Sequence, residues 1–232
     1  MPRRFEKQLI KENELEMLKL IKQIDKNKYF ITQKKYGKSL DNITELKLTK
    51  KELEENILFL IKSLKFLHKN NITHRDINFR NILYKTGEKM KFADFGLSIT
   101  KEKTKKLMLQ KYKTIDDYLD SYYLLYPGYI SEHLSYEKYK PLYYELIDDI
   151  YDEKTNIDEL NKILKEKRRT LLKDINFSLK FYKKEDTIDL NITIQIIYKK
   201  YLNYDIKELS KAHDDEFTLT QIEKIIKKNQ LN

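Results

Sequence analysis

The 232-residue chain contains no cysteine and no tryptophan, and it has only four glycines and three prolines. Without cysteine, disulfide bonds and thiolate metal sites are excluded, which predicts an intracellular protein, in the cytoplasm (the host cytoplasm if the source is viral). No apolar run has the length of a membrane span, and the N-terminus has no signal-peptide pattern, so we expect no membrane association. The scarcity of glycine and proline leaves little material for a flexible linker.

Positive charge is in excess, with a formal net charge of +10. A basic surface attracts phosphate backbones in a salt-dependent way, so a nucleic-acid-binding module is one hypothesis. The other is a compositional bias, because lysine is spread along most of the chain and is not gathered in one segment. Both explanations stay open at this point.

One stretch carries most of the chemical information, His74-Arg75-Asp76-Ile77-Asn78-Phe79-Arg80-Asn81, followed by Asp94-Phe95-Gly96. Two short apolar-alternating runs around a Thr-Gly turn separate these motifs and predict a β-hairpin. The hairpin would bring Asn81 and Asp94 to the same end of a small sheet, where two oxygen ligands suit Mg²⁺. Asp76 would then be placed to accept a proton from a hydroxyl nucleophile.

These motifs resemble H-R-D-L-x-x-x-N and D-F-G of the protein kinase catalytic core. The resemblance implies an α+β, protein-kinase-like fold with a reduced N-terminal lobe and a mainly α-helical C-terminal lobe. It also implies that Asp76 is the catalytic base and that Asn81 and Asp94 bind ATP through Mg²⁺. Phe95 and Gly96 would set the pose of Asp94.

The small lobe is predicted to be much reduced. No glycine precedes Gly37, so the Gly-rich hairpin with which the family covers the ATP phosphates is missing from this chain. Residues 11–26 have helical periodicity, and Glu14 resembles the family's small-lobe glutamate, which pairs with a strand lysine. Either Glu14 has this role or it is a solvated side chain. The remaining features of this lobe are Lys7 or Lys11 as substitutes for that lysine, short strands near 29–32, and a hinge at 36–40.

The domain prediction is therefore a vestigial small lobe and hinge over residues 1–38 and a kinase large lobe over residues 39–232. The large lobe begins with a helix from Thr49 to about Lys69, in which Thr49 and Glu52 form a capping box. Further helices are predicted over 132–150, 156–173, 188–197 and 221–228, the last with a box at Thr220 and Glu223.

The catalytic stretch departs from the family at Asn78, where Ser/Thr kinases usually carry lysine. Arg80 resembles the Tyr-kinase arrangement and would supply the missing cation at the transferring phosphate, or it is a surface arginine. Arg75 resembles the family's arginine that meets a phosphate, with candidates at Thr104, Tyr112 and Thr114.

Beyond the D-F-G motif, Asp120 begins a run similar to D-x-W/Y-S-L, the start of a buried helix whose Asp braces the catalytic loop. No A-P-E sequence lies between these motifs, so the platform for a protein substrate is shortened or replaced.

The first functional hypothesis is an ATP- and Mg²⁺-dependent phosphotransferase, a protein kinase of the Ser/Thr more than the Tyr type, with a protein substrate. The alternative is a pseudokinase or a partner-dependent scaffold, and in a variant of it an activating partner completes the small lobe. The nucleic-acid-binding module is the third.

Overall fold

The computed structural model describes residues 4–24, 36–109, 175–210 and 217–230, together with residues 158 and 162. The helices in these ranges are α1 (Arg4–Ile24), α2 (Lys50–Lys69), α3 (Lys101–Leu109), α4 (Ile175–Leu202), α5 (Lys207–Ser210) and α6 (Leu219–Gln230). The strands are β1 (Lys38–Ser39), β2 (Ile72–Thr73), β3 (Ile82–Tyr84), β4 (Lys91–Phe92) and β5 (Ile99–Thr100). The strands predicted at 29–32 and the helices predicted over 132–150 and 156–173 lie outside the described residues.

Helix α1 begins earlier than its periodicity predicts, at Arg4. It therefore includes both Lys7 and Lys11, so neither lysine lies on a strand. Met17 and Ile21 are buried, because they share the apolar face of the helix, and both belong to the main core.

Helix α2 is the spine of the structure. The predicted capping box is present, with Thr49 Oγ1 accepting from the backbone N–H of Glu52 and Glu52 accepting from the N–H of Thr49. Its apolar face is fully buried against the neighbouring elements: Leu53, Ile57, Leu60, Ile61, Leu64 and Leu67. The helix packs on α4, α6, β2 and β4 and leads into β2 and the loop His74–Asn81, the predicted catalytic loop, which we call the catalytic loop below.

The predicted hairpin is present. Strands β3 and β4 pair antiparallel, with Ile82 opposite Phe92, and Gly87 takes a φ of 80° in the turn between them. Strand β1 pairs with the other edge of β3, so the sheet order is β1-β3-β4. A second sheet joins β2 to β5 on the two sides of the catalytic stretch.

Helix α4 resolves an ambiguity in the sequence. Its alternating isoleucines fit a strand as well as a helix, and the structure confirms the predicted helix over 188–197. The buried residues recur at helical spacing, with Leu190, Ile194 and Ile197 inside and Ile196 exposed. Tertiary packing of this face decides between the two periodicities.

Helix α6 covers the predicted range 221–228, but its capping box is not the predicted one. Thr218 and Gln221 form the box, since Thr218 Oγ1 accepts from the N–H of Gln221 and Gln221 Oε1 accepts from the N–H of Thr218. The prediction at Thr220 and Glu223 is wrong because the helix begins earlier than that box requires. Glu223 instead pairs with Lys65 of α2, at 2.6 Å.

None of the described helices combines the length and the apolar character that crossing a bilayer requires.

Candidate active site

Asp76 lies at the centre of a set of amide donors. Asn81 Nδ2 donates to Asp76 Oδ2 at 2.7 Å and to the Asp76 carbonyl at 2.9 Å, and Asn78 Nδ2 donates to Asp76 Oδ1 at 2.7 Å. Each carboxylate oxygen is thus held by a different neutral donor, which orients the carboxylate without neutralising it. The preceding residue, Arg75, has a φ of 66°, a strained conformation of the kind found at functional sites.

Asn78 has a second function in the same loop. Its Oδ1 accepts from the backbone N–H groups of Arg80 and Asn81, at 2.9 and 3.2 Å, and so caps the 3₁₀ turn over Phe79–Asn81. One side chain therefore ties the carboxylate of Asp76 to the backbone of Asn81. In the sequence, Asn78 is only a departure from the lysine that the kinase resemblance implies.

The hairpin brings Asn81 and Asp94 to the same end of the sheet, as predicted. Asn81 precedes β3, Asp94 follows β4, and the N–H of Ala93 donates to the Asn81 carbonyl at 2.9 Å. Asp94 has a φ of 60°, and its exposed carboxylate accepts from the N–H of Gly96 at 3.2 Å. The strained backbone at Asp94 points to function, since such strain persists only where the surroundings impose it.

Phe95 anchors this strained segment. Its side chain is fully buried, and its ring lies 4.8 Å from the ring of His74, centroid to centroid. His74 is itself buried and hydrogen-bonds through Nε2 to the Ala93 carbonyl at 3.1 Å. The two predicted motifs therefore share one packed cluster, which holds Asp94 relative to Asp76.

The donor set at this end of the sheet fits Mg²⁺. Asn81 uses its Nδ2 for Asp76, while its Oδ1 accepts no hydrogen bond from the described residues and stays available as a ligand. Asp94 adds an exposed carboxylate. Mg²⁺ is usually bound by one or two such oxygens, with waters and substrate phosphates completing its shell. The described residues contain no cluster of three or more acidic or histidine side chains that would hold a metal alone.

Glu14 faces this site from α1. Partial burial raises the pKa of its carboxyl group, and the nearby negative charge of Asp94 raises it further. Among the lysines whose side chains the structure describes, which exclude Lys7, none pairs with Glu14. Its position beside Asp94 resembles the small-lobe glutamate of kinases, whereas the lysine that the resemblance implies is not found in the described part.

A second residue of α1, Asn13, connects this helix to the segment after Asp94. Asn13 is 2% exposed, and its Nδ2 donates to the carbonyls of Gly96 and Ser98, at 2.6 and 2.8 Å. Its Oδ1 accepts from Lys103 Nζ of α3 at 2.6 Å. The side chain satisfies buried carbonyls 83 and 85 residues away, a link that helical periodicity cannot reveal.

The two arginines that are predicted to meet a phosphate group, Arg80 and Arg75, have different environments. Arg80 is exposed and forms no ion pair with the described residues, which leaves both of its suggested roles open. Arg75 is 5% exposed, and its Nη1 donates to the Leu97 carbonyl at 3.4 Å.

Of the suggested phosphate acceptors, Thr104 is fully buried and donates its hydroxyl to the Thr100 carbonyl, so it is inaccessible in this structure. Tyr112 and Thr114 lie outside the described residues.

The catalytic loop is braced by Asp186 of α4. Its carboxylate is completely buried and accepts from the backbone N–H groups of His74 and Arg75, at 2.9 and 2.7 Å, and from Nε2 of His68 at 2.9 Å. The kinase resemblance predicts this role for Asp120, which lies outside the described residues, so that prediction stays untested. Two segments resemble D-x-W/Y-S-L, and Asp120 begins the better match in sequence.

The segment Asp186-Thr187-Ile188-Asp189-Leu190 matches that pattern at its Asp and Leu positions. This match is the signal by which sequence reasoning could have found Asp186.

Two further acids accompany Asp186 on α4. Burial raises the pKa of Glu185 to about 7, against the lowering effect of Arg75 and with a further rise from Asp186. Burial also raises the pKa of Asp189 well above its usual value, and Asp186, Glu185 and Asp76 raise it further. Glu185 thus changes charge near neutral pH beside the catalytic loop.

We expect Glu185→Gln to remove part of the pH dependence of stability. Because the folded state retains a proton that the unfolded state releases, the contribution of Glu185 to stability is fully present below about pH 4.5 and is lost as the pH rises to about 7. The loss is roughly 3 kcal/mol, which the neutral glutamine avoids. Urea unfolding on both sides of this window measures it. The exposed Glu208→Gln variant is the control, and parallel wild-type and Glu185→Gln curves would contradict the expectation.

Helix α4 also contacts the segment that is predicted to form the hinge. Tyr201 donates its hydroxyl to the carbonyls of Leu40 and Ile43, at 3.0 and 2.9 Å, and its ring stacks on Phe79 of the catalytic loop. The hinge and the catalytic loop are therefore fixed by one helix.

Comparison with known proteins identifies this arrangement. The family profile described as "Protein kinase domain" matches residues 6–135, more than half of the chain. The chain belongs to the protein kinase family. This confirms the predicted fold, a kinase-like α+β domain with a reduced N-terminal lobe and a mainly helical C-terminal lobe, in a family of phosphotransferases. The match ends before α4, so the bracing of the kinase catalytic loop by Asp186 is information from the structure.

Individual relatives match over shorter ranges. The chain is 38% identical over 72 residues to the liver/testis isoform of the phosphorylase b kinase gamma catalytic chain of Bos taurus, covering 31% of this chain and 18% of that protein. It is 43% identical over 56 residues to the serine/threonine-protein kinase pakG of Dictyostelium discoideum, covering 24% and 5%. It is 36% identical over 75 residues to the calcium/calmodulin-dependent protein kinase cmkA of Emericella nidulans, covering 30% and 18%. The matches span less than a fifth of each of these relatives.

Proposed function

We propose that this protein is an ATP- and Mg²⁺-dependent protein phosphotransferase that acts on serine or threonine hydroxyls. The observation that carries the proposal is the joint placement of Asp76, Asn81 and Asp94. One amide, that of Asn81, holds the carboxylate of Asp76 and leaves its own oxygen available beside Asp94. Hydrogen bonds thereby join a proton acceptor to one metal ligand, and the second ligand, Asp94, lies at the same end of the sheet.

In the proposed mechanism, Asp76 accepts the proton of the attacking hydroxyl group. The two asparagine amides fix its carboxylate, so the oxygen that meets the substrate is oriented before binding. Asn81 and Asp94 hold Mg²⁺, which when bound neutralises the charge of the ATP phosphates. The buried Phe95 and His74 rings keep Asp94 in place, and Arg80 is the exposed cation of this loop that we assign to the transferring phosphate.

The preference for serine and threonine is supported by the relatives, since the name of pakG, a serine/threonine-protein kinase, includes this specificity. We further propose that residues 1–38 are the remnant of the small lobe and that residues 39–232 are the large lobe.

A second candidate is a pseudokinase or a scaffold completed by a partner. Two observations favour it: no lysine whose side chain the structure describes pairs with Glu14, and no glycine of this sequence precedes Gly37. Each oriented phosphate contact that is missing costs about 1.5–3 kcal/mol, so ATP binding by the isolated chain is the property on which the candidates differ.

Thermal unfolding with ATP, with and without Mg²⁺, tests the proposal. A ligand at ~100 times its Kd adds about 2.7 kcal/mol, which raises the Tm by a few degrees for a chain of this size. We expect a Mg²⁺-dependent rise in the wild type that Asp94→Ala removes. Glu102→Ala, which deletes an exposed carboxylate of α3, is the matched control and should keep the rise. Without any rise at saturating ATP, the pseudokinase candidate is favoured.

A further inference from the structure

A second concave surface lies beside the hinge, outside the candidate active site. It is a cavity of about 570 Å³, within the range of ligand sites, between the segment 43–47 and the end of β3. None of Asp76, Asn81 and Asp94 lines it. We call it the hinge groove; its main lining residues are Gly37, Lys38, Ile43, Leu46, Lys47 and Tyr84.

The floor of the hinge groove is apolar and closely packed. Tyr84 is 8% exposed, and Ile43 and Leu46 are partly buried side chains that pack against the main core. At Gly37, a Cβ atom would lie 2.2 Å from the Tyr84 carbonyl oxygen, so only glycine allows this approach. The floor is therefore a fixed feature of the fold and offers partly buried apolar surface to an incoming side chain.

One wall of the groove has an unpaired backbone. Residues 44–48 belong to no strand or helix, and their N–H and C=O groups form no hydrogen bond with other described residues. The residues on either side of this segment, Ile43 and Thr49, both have extended backbone dihedrals. A peptide that binds as an extra strand forms hydrogen bonds with unpaired backbone of this kind beside a groove.

The rim of the groove is basic. Lys38, Lys47 and Lys85 border it with a single acid, Glu45. Lys85 is paired with Glu88 at 2.6 Å, whereas Lys38 and Lys47 are exposed and have no ion pair within the described part of the chain. The two remaining positive charges flank an apolar floor, which favours a ligand that alternates acidic and apolar groups.

We propose that the hinge groove binds an extended, acidic segment of a partner protein. Its backbone pairs with residues 44–48, its apolar side chains rest on Ile43, Leu46 and Tyr84, and its carboxylates meet Lys38 and Lys47. A peptide fits better than a nucleic acid, because a phosphate backbone needs a broad basic surface and gains little from an apolar floor. The site adds a docking surface to the proposed phosphotransferase, and binding there requires neither ATP nor Mg²⁺.

Fluorescence anisotropy with the full chain tests this proposal. The probe is a labelled peptide of alternating Glu and Leu, compared with peptides of alternating Gln and Leu and of alternating Lys and Leu. We expect saturable binding of the acidic peptide only. The double variant Lys38→Glu/Lys47→Glu should weaken it by at least ~100-fold, about tenfold for each charge-assisted hydrogen bond that it removes. Leu46→Ala should weaken it by a few fold, because the substitution takes apolar surface away from the floor.

The matched control is Lys51→Glu/Lys62→Glu, which makes the same charge change on exposed residues of α2 outside the groove. An equal loss of affinity in this control would show that net charge alone attracts the peptide and would overturn the proposal. Absence of binding by the wild type would also overturn it. So would displacement by a single-stranded oligonucleotide that binds as tightly and depends equally on Lys38 and Lys47, since the groove would then be a general polyanion surface. Urea unfolding of each variant confirms that it is folded.

Discussion

Replacing Asp76 by asparagine is expected to lower the rate of phosphoryl transfer by about 10²–10⁴-fold, the usual contribution of a positioned proton acceptor. Asparagine has the same shape but cannot take up the proton of the hydroxyl nucleophile. Transfer of labelled phosphate from ATP to the protein itself or to a mixed serine/threonine peptide pool measures the rate.

The fold should survive this change. One of the two amides that now donate to Asp76 would face an NH₂ group, which costs about 1 kcal/mol of unfolding free energy. The Mg²⁺-dependent binding of ATP should persist, because Asp94 and Asn81 keep their oxygens. Asp205→Asn, an exposed carboxylate on the surface, is the activity control. If Asp76→Asn transfers phosphate as fast as the wild type, Asp76 is not the base and the proposed mechanism is wrong.

The second large effect concerns stability. Asp186→Asn is expected to lower the free energy of unfolding by about 2–5 kcal/mol, since breaking a buried, hydrogen-bonded charge leaves donors without an acceptor. Both oxygens of Asp186 are in use, Oδ1 for the N–H of Arg75 and Oδ2 for the N–H of His74 and for His68. An asparagine has one oxygen, so its NH₂ group must face one of these donors, whichever way it is turned.

Urea denaturation of Asp186→Asn and the wild type measures this loss of stability. The substitution conserves volume, so a cavity does not contribute to it. Asp205→Asn removes a carboxylate from an exposed ion pair with Lys199 and should change stability by less than about 1 kcal/mol. A loss no larger than in this control would mean that Asp186 does not brace the loop. Since the loop carries Asp76, we also expect reduced transfer by the Asp186 variant under conditions where it remains folded.

The parts of the site that the sequence predicts are those built by neighbouring residues. The β3–β4 hairpin follows from alternation and a Thr-Gly turn, and with it the placement of Asn81 beside the start of Asp94-Phe95-Gly96. The capping box of α2 follows from Thr49 and Glu52. In each case the partners lie within one turn or one hairpin, where backbone geometry alone decides which atoms meet.

Local rules do not choose between two segments that both resemble the same pattern. Asp120 and Asp186 both begin runs similar to D-x-W/Y-S-L. In the same way, both Thr220 with Glu223 and Thr218 with Gln221 fit the capping-box pattern. Only packing shows that Asp186 reaches the N–H groups of His74 and Arg75, and only the observed helix start shows which threonine is the cap. A sequence pattern indicates which structures a segment can form. Contacts with the rest of the chain decide which of two similar segments forms the structure.

The sequence by itself determined the family and the residue types on which the proposed reaction depends, because these lie in short motifs with strict spacing. Tertiary structure alone decided how the loop is held. The carboxylate of Asp186 is 112 residues from the His74 N–H that it accepts from, and the Asn13 amide is 83 residues from the Gly96 carbonyl that it satisfies. Such contacts follow from burial, since a buried N–H or C=O group needs a partner wherever the chain can supply one, and linear spacing does not say where that is.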